Sequence, residues 1–362
     1  MEPPLVVRPA ACPQFADPKG VFCLVTGTES ADDFVIEGPH GYDEAVVVAL
    51  GPTDTLEDVL TSGTPEAADV LVVLPGAFVA SPDPAVVGRR RVAVMPCGST
   101  PVRTEHIRYF LSVMERTDPA AQAARADRFF TALEQADTVC IVDGAQGTSC
   151  ALALDDPDLE FNLQAGFLEP GEQQIVPGGE VGILPMAITG FDAARRLALD
   201  GELTLRGWPI VHAGYDPSLA DEQAALFDRL LPLSRHPVVL TVTAGVITAC
   251  RPGTNHPAGA SAAAALDALL AADERYRPVW ELGFGINTDM DIVPANCGLN
   301  EVYGARNGVV HLGLGLTPFT RFALTFLCPG AAVVDGTGEV LLGADGAARR
   351  IRRTRTAGCG CH

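Results

Sequence analysis

The fold of the second part of the chain is decided by the stretch Val139-Cys140-Ile141-Val142-Asp143-Gly144-Ala145-Gln146-Gly147-Thr148-Ser149-Cys150-Ala151-Leu152-Ala153-Leu154. Two apolar runs, residues 139–142 and 150–154, enclose a segment rich in turn-forming residues. Asp-Gly pairs and glycines between such runs are typical of tight turns that join antiparallel strands. The stretch therefore predicts a β-hairpin.

The hairpin pattern continues towards the C-terminus. Further Asp-Gly turns follow at residues 200–201, 335–336 and 345–346. One amphipathic helix interrupts them, with a predicted cap at Ser261 and leucines at 266, 269 and 270 on its apolar face. Residues 128–345 are therefore predicted to form a β-rich α+β domain.

The part of the chain before the hairpin has a different pattern. Apolar runs at residues 21–25, 45–50, 70–74 and 92–95 alternate with helical or turn-rich segments. This alternation predicts an α/β domain over residues 1–127. Thr100-Pro101 and Asp118-Pro119 are predicted to start two helices, because proline is favoured at the first helical position.

Composition excludes several classes of function. The 362 residues are 48% hydrophobic and carry a formal net charge of -20, so binding to nucleic acid or to an anionic membrane surface is not expected. Lys19 is the only lysine, which leaves little scope for lysine chemistry. No secretory signal or membrane-spanning run is seen, so we expect a cytoplasmic protein whose ten cysteines are mainly small buried residues.

Five segments of the second part follow one another in the order of a known family. They are Ala136-Asp137-Thr138-Val139, Pro177-Gly178-Gly179-Glu180-Val181, Pro237-Val238-Val239-Leu240-Thr241-Val242, Glu281-Leu282-Gly283-Phe284-Gly285-Ile286-Asn287 and Gly308-Val309-Val310-His311-Leu312-Gly313. Over residues 128–342 the chain resembles the thermophilic metallo-aminopeptidases and the related iron-dependent dihydroxypyridine ring-opening dioxygenases. The resemblance implies an aminopeptidase-like fold for the second domain.

The same resemblance identifies candidate site residues. Members of the aminopeptidase family hold two metal ions with two glutamates, one histidine and a later His-x-Asp pair, and Glu180, Glu281 and His311 fall on the first three positions. The pair is missing: depending on the register, its positions are taken by Arg321 and Ala323, or by Ala323 and Thr325. We therefore expect vestigial metal positions, no bound metal, no cofactor and no catalytic residue.

The predicted function is non-catalytic. The chain resembles accessory proteins of ribosomal peptide natural-product pathways of the crocagin type, which implies a peptide ligand, such as a precursor peptide. The predicted cleft is bordered by Glu180, Glu281, His311 and Arg321, and the family implies a homodimer formed through the second domain.

Other interpretations of the same residues remain open. Three ligands and a water can hold one catalytic zinc, which would give a metal-dependent aminopeptidase or dioxygenase with a rearranged site. Glu180 can also be a residue of a glycine-rich turn, and His311 a core histidine. Residues 346–362 form a basic, cysteine-containing tail in which Cys359, Cys361 and His362 suggest either a metal clip or a flexible or subunit-docking segment.

Overall fold

A computed structural model gives the structure of residues 3–38, 41–99, 103–188, 190–214, 216–293 and 304–343. The first part of the chain contains strands and helices in alternation. They are β1 (Leu5–Val7), β2 (Val21–Gly27), β3 (Phe34–Ile36), β4 (Glu44–Leu50), α1 (Leu56–Ser62), β5 (Asp69–Val73), α2 (Pro84–Val87), β6 (Arg91–Met95), α3 (Thr104–Arg116) and α4 (Pro119–Glu134).

The second part is mainly β-structure. Its elements are β7 (Thr138–Asp143), β8 (Thr148–Ala153), β9 (Glu160–Gln164), β10 (Gln173–Ile175), β11 (Glu180–Leu184), β12 (Leu199–Leu205), β13 (Pro209–His212), α5 (Ala220–Leu230), β14 (Val238–Thr243), β15 (Val246–Pro252), α6 (Pro257–Ala272), β16 (Val279–Gly285), β17 (Val309–Leu314), β18 (Ala323–Cys328), β19 (Ala332–Asp335) and β20 (Val340–Gly343). Short 3-10 helices occur at Pro9–Ala11, Pro13–Phe15, Ala31–Asp33, Pro217–Leu219, Leu231–Ser234 and Glu274–Tyr276.

A parallel five-stranded sheet confirms the α/β pattern of the first part. Its order is β10-β6-β5-β2-β4, and β2, β4, β5 and β6 are the four apolar runs predicted from the sequence. The run in β5 is buried along its whole length, as expected where helices or chain cover both faces of a parallel sheet. The fifth strand, β10, comes from far along the chain and pairs with β6.

The helix starts agree with prediction in one case and differ in two. Helix α4 begins as predicted at Pro119, where the Asp118 carboxylate accepts hydrogen bonds from two backbone N–H groups. Helix α3 begins at Thr104, later than predicted, and Thr100-Pro101 lies outside the described residues. The predicted cap of α6 at Ser261 is wrong: the helix begins at Pro257, and the His256 ring accepts the capping bond.

Two antiparallel sheets build the second part. One has six strands in the order β13-β18-β17-β16-β11-β9, and the other has seven in the order β15-β14-β12-β8-β7-β19-β20. The predicted hairpin is confirmed as β7 and β8, which pair from Thr138 opposite Ala153 to Asp143 opposite Thr148. The protein is thus a mixed α/β structure with several sheets, and the assignment of the second part to the aminopeptidase class stays a prediction.

The largest core lies between the two antiparallel sheets. It combines residues of the six-stranded sheet, such as Leu282, Phe284 and Leu312, with residues of the seven-stranded sheet, such as Ile141 and Leu240. In each strand these residues alternate with residues on the opposite face. The opposite face of the six-stranded sheet is therefore left for contacts with the first part of the chain.

A second core joins the first part to that opposite face. Met95 and Phe110 pack in one cluster with Ile210, Val309 and Leu327 of the six-stranded sheet. At the same boundary the rings of Phe78 and His212 stack at 5.0 Å between centroids, and the Gln223 amide donates to the Gly98 carbonyl. Loops at the ends of β5 and β6 thus lie against the six-stranded sheet.

A buried ion pair holds the start of the chain to the five-stranded sheet. Arg91 donates from Nε and Nη2 to the two Asp69 carboxylate oxygens, both at 2.6 Å, and the Tyr42 hydroxyl donates to Asp69 Oδ2 at 2.7 Å. Arg91 also donates to the backbone carbonyls of Phe15 and Asp17. Burial, together with the hydrogen bond to Asp69, raises the pKa of Tyr42, so the phenol stays a donor.

The predictions about membrane-spanning segments and about the cysteines are compared with the structure for the described residues only. Among the described residues, every helix is too short or too polar to cross a lipid bilayer. The cysteines that the structure describes are buried or half-buried free thiols, as predicted. The C-terminal tail, including Cys359, Cys361 and His362, lies outside the described residues.

Candidate functional site

Three adjacent strands bring the predicted metal-type residues together. Glu180 begins β11, Glu281 lies in β16 and His311 lies in β17, and these strands are neighbours in the sheet order β17-β16-β11. The antiparallel register places His311 opposite Gly283, and Glu281 opposite Gly313. The sheet topology therefore assembles one cluster from residues that are far apart in the sequence.

The cluster is tight and almost closed to solvent. His311 Nε2 lies 3.5 Å from a Glu180 oxygen and 3.8 Å from a Glu281 oxygen. The His311 side chain is fully buried, Glu180 is 3% exposed, and Glu281 is 15% exposed. The separations are long for hydrogen bonds, and in the part of the chain that the structure describes neither ring nitrogen of His311 has a hydrogen-bond partner. Glu281 is thus the member of the cluster that a ligand can reach.

Three glycines form a floor beneath these side chains. A Cβ atom at Gly283 would lie 1.7 Å from His311 Nε2, and one at Gly182 would lie 2.6 Å from Glu281 Oε1. A Cβ at Gly313 would meet the Cβ of Glu281 at 2.8 Å. The imidazole and the carboxylate therefore lie flat on the sheet, in space that any larger residue would occupy.

Sequence reasoning missed this floor, although its signal is present. Each cluster residue is followed by an aliphatic residue and then a glycine, in Glu180-Val181-Gly182, Glu281-Leu282-Gly283 and His311-Leu312-Gly313. Residues two apart in a strand lie on the same face. The repeated spacing thus indicates a polar side chain beside an empty position on one face, with an aliphatic residue on the other.

Electrostatics couples the three groups. Burial alone would lower the pKa of His311, but the Glu180 and Glu281 carboxylates outweigh it and raise the pKa to about 10. Burial is the main cause that raises the pKa of Glu180, and the charge of Glu281 adds to it. At neutral pH the metal-free cluster therefore holds an imidazolium between two carboxyl groups, one of which retains a proton more readily than usual.

The donor set fits one divalent ion. The ligand atoms of Glu180, Glu281 and His311 all lie within 4.8 Å of one another, and three protein ligands plus water suffice for zinc. An imidazolium cannot ligate a metal, so His311 must first lose its proton. The cluster can thus hold one ion, at the cost of displacing that proton.

A two-ion centre does not fit the described residues. The next strand, β18, places Leu327 opposite His311 and Thr325 opposite Gly313, so its residues on the cluster face are Ala323, Thr325 and Leu327. None of these is a histidine or a carboxylate. The strand that neighbours His311 therefore supplies no acidic or imidazole ligand for a second ion.

Arg321, the fourth predicted cleft residue, lies apart from the cluster contacts. Its side chain is 53% exposed, forms an ion pair with Glu222 and lies over the Phe322 ring. The structure brings together the other three predicted residues and places Arg321 at the surface before β18.

An aromatic stack adjoins Glu281. Val279 pairs with Leu314 and Glu281 with Gly313, so Trp280 is the extra residue of a β-bulge. Its ring stacks on Phe191 at 4.4 Å between centroids, and Phe191 stacks on Phe319 at 5.8 Å. The buried Trp280 Nε1 has no hydrogen-bond partner within the described ranges of the chain. The residue that precedes Glu281 is thus part of an aromatic stack whose half-buried members are Phe191 and Phe319.

Comparison with known families decides the class of the protein. The family model of the crocagin biosynthetic protein CgnE/B matches residues 54–335. The chain belongs to this family. Membership in the CgnE/B family gives it a role in natural-product biosynthesis and confirms that part of the sequence prediction.

Two individual proteins are similar to this CgnE/B family member. It is 32% identical over 117 residues to futalosine hydrolase of Streptomyces coelicolor (strain ATCC BAA-471 / A3(2) / M145), which is 31% of this chain and 48% of that protein. The chain thus spans about half the length of that curated relative. Its fold is similar to 2,5-dihydroxypyridine dioxygenase of Pseudomonas putida KT2440, with 16% identity, a TM-score of 0.53 and 90% of each chain covered.

The structural match concerns the fold of this CgnE/B family member. At 16% identity it confirms the predicted likeness to the dioxygenase fold, but it does not assign the dioxygenase activity to this chain. The predicted relation to aminopeptidases stays a prediction.

Proposed function

We propose that the protein is a non-catalytic peptide-binding protein in the biosynthesis of a ribosomal peptide natural product. The observation that carries the proposal is the reduced donor set: Glu180, Glu281 and His311 converge, while β18 adds Ala323 and Thr325 to the same face. A cocatalytic pair of ions needs more anionic ligands than these. Membership in a biosynthetic family supports the proposal of a peptide-handling task instead of a hydrolytic one.

The accessible side of the cluster suits the amino terminus of a peptide. Glu281 offers a carboxylate to an ammonium group, and the half-buried rings of Phe191 and Phe319, which stack beside the buried Trp280, offer an apolar surface to the first side chain. Hydrogen bonds that involve charged groups are stronger than neutral ones. The geometry therefore favours a peptide that begins with a free ammonium group and an apolar residue.

Glu281→Gln is expected to weaken the binding of such a peptide by about ten- to a hundredfold, since a hydrogen bond to a charged group contributes roughly 1.5–3 kcal/mol. Calorimetry with precursor peptides encoded beside this gene measures the effect. Acetylation of the peptide amino terminus should weaken binding similarly. Glu202→Gln, at an exposed ion pair with Arg251, is the matched control and should leave affinity unchanged.

Two results would contradict the proposed function. One is the lack of binding to any of these precursor peptides by the wild-type protein. The other is efficient cleavage of a bound peptide by protein that has been freed of metal.

A one-metal enzyme is the second candidate function, as a metal-dependent aminopeptidase or ring-opening dioxygenase with a rearranged site. It is favoured by one observation, the convergence of three donors around the His311 ring, whose nitrogens have no hydrogen-bond partner among the described residues. The ion would supply Lewis acidity, with Glu180, Glu281 and His311 as its ligands.

Metal content separates the two candidates. We expect the protein as purified, without added metal, to contain far less than one zinc, iron or manganese ion per chain, because the His-x-Asp pair is missing and the two glutamates favour the protonated form of His311. Elemental analysis of wild type and of His311→Ala measures this. Stoichiometric metal that is lost in the variant would favour the enzyme.

A further inference from the structure

The six-stranded sheet ends in an open strand edge. Strand β9 is the last strand of the order and pairs on one side with β11. Within the part of the chain that the structure describes, no strand pairs with its outer side. Every second residue of an edge strand directs its N–H and C=O groups away from the partner strand. The outer side of β9 therefore presents a row of backbone groups to solvent.

Large apolar side chains are exposed at this edge. Phe161 is 46% exposed, Leu163 is 43% exposed, and Phe167, shortly after the strand, is 43% exposed. Phe161 and Leu163 lie on one face, and the Phe161 ring contacts Phe130 of α4 at 5.6 Å between centroids. Proteins usually protect an edge with charges, proline or covering chain, so an edge of this kind indicates a binding partner.

The chain leading into β9 is acidic. Asp155, Asp156, Asp158 and Glu160 lie within six residues, and Arg195 pairs with Asp158 at 2.9 Å and with Asp156 at 3.9 Å. Asp155 and Glu160 are exposed and form no ion pair among the described residues. The edge therefore combines apolar side chains with unneutralised negative charge, which repels a second copy of this acidic chain and attracts a cationic partner.

The β9 edge is close to Glu281 in the same sheet. A Cβ atom at Gly182 would lie 2.6 Å from Glu281 Oε1 and 3.5 Å from the Cβ of Asn162, so Gly182 separates the two residues. Two strand spacings, about 10 Å, separate β16 from β9. The β9 edge and Glu281 thus belong to the same part of one sheet.

We propose that the outer edge of β9 binds an extended, cationic peptide segment by strand addition. The inference rests on the proposed peptide-binding function and locates the ligand: its backbone pairs with residues 160–164, alternate apolar side chains lie on Phe161 and Leu163, and arginine or lysine residues lie near Asp155 and Glu160. Backbone pairing supplies affinity and the side-chain contacts supply specificity.

The probe is an acetylated ten-residue peptide that alternates valine and arginine, labelled for fluorescence anisotropy. Methylation of the backbone nitrogen at alternate residues removes the hydrogen bonds on one side of the peptide. In one of the two possible methylated series the affinity should fall at least about tenfold, since each lost bond contributes roughly 0.5–1.5 kcal/mol. A valine–glutamate peptide should bind at least about tenfold more weakly than the arginine peptide.

Protein variants localise the contact. Phe161→Thr with Leu163→Thr keeps strand-forming residues but removes the apolar surface, and Asp155→Asn with Glu160→Gln removes the charge; each pair should weaken binding at least about tenfold. The control is Val47→Thr in β4, another edge strand, where the side chain is 40% exposed. It should bind like wild type. Thermal melting verifies that each variant is folded.

Several outcomes would overturn the proposal: no binding of the probe to wild type, equal affinity of both methylated series and the unmodified peptide, or β9 variants that bind like Val47→Thr. A β9 variant that converts a dimer into a monomer would show that a second copy occupies the edge. If precursor peptides bind wild type and respond to Glu281→Gln but not to the β9 variants, the proposed function stands and the β9 site falls.

Discussion

Asp69→Ala is expected to lower the free energy of unfolding by about 3–5 kcal/mol, because the loss of one partner leaves a buried charge without compensation. Asp69 is 3% exposed, and Arg91, which it binds with two hydrogen bonds, is 12% exposed. The variant would also leave the Tyr42 hydroxyl without its acceptor. Urea denaturation measures the difference in the free energy of unfolding. The slope of that free energy against urea concentration should be the same for both proteins.

The control for Asp69 is an exposed ion pair of similar chemistry. Arg251 and Glu202 lie 2.8 Å apart with side chains 52% and 40% exposed, and exposed pairs contribute about 0–1 kcal/mol. Glu202→Ala should therefore cost little. The double variant Asp69→Leu, Arg91→Met removes both charges and should recover much of the lost stability. A loss below about 1 kcal/mol in Asp69→Ala would show that water solvates Arg91 in the folded protein.

Gly283→Ala is expected to destabilise the protein by about 3 kcal/mol, at the upper end of the usual cost of overpacking. The added methyl would lie 1.7 Å from Nε2 and 2.1 Å from Cε1 of His311, whose side chain is fully buried. The ring must therefore move or the strands must separate. Thermal and chemical unfolding measure the cost.

Two further variants make the Gly283 prediction specific. Gly336→Ala adds the same methyl where no atom of the described residues lies within 4 Å, and it should be neutral within about 0.5 kcal/mol. His311→Ala in combination with Gly283→Ala makes room for the methyl, so the two changes should be coupled by about 0.5–3 kcal/mol in the stabilising direction. Additive effects would mean that His311 does not lie on Gly283.

The sequence predicts the architecture where local pattern and tertiary structure agree. Buried parallel strands must be apolar along their length, so residues 70–74 indicate β5 directly. The hairpin at β7 and β8 is predictable because the turn residues and the apolar runs lie next to each other. Both signals depend only on residues that are neighbours in the chain, which is why a single sequence is enough to detect them.

Other features depend on contacts that a single sequence does not encode locally. Residues 173–175, Gln-Gln-Ile, carry no apolar run, and β10 is a strand because β6 provides a partner. The predicted cap of α6 at Ser261 is wrong because serine is the commoner capping residue. Here proline at the first helical position and the His256 ring determine where the helix begins. Motif order identified Glu180, Glu281 and His311, but their close approach follows from sheet order.

Predictions outside these contacts remain to be tested. The homodimer, the limits of the domains at residues 127 and 345, and the role of Arg321 in a cleft all stay predictions. Arg321 is the weakest of them in physical terms, since its guanidinium is already paired with Glu222.

The late position of β10 in the chain affects the order in which the nascent protein can fold. The edge of β6 that contains Val92 and Val94 pairs with Gln173–Ile175. The five-stranded sheet is therefore incomplete on the ribosome until the hairpin β7–β8, strand β9 and then β10 have been translated. During that interval a bare edge is available for pairing with other nascent chains. A fragment that ends at residue 127 keeps this bare edge permanently, and aggregation is its expected fate.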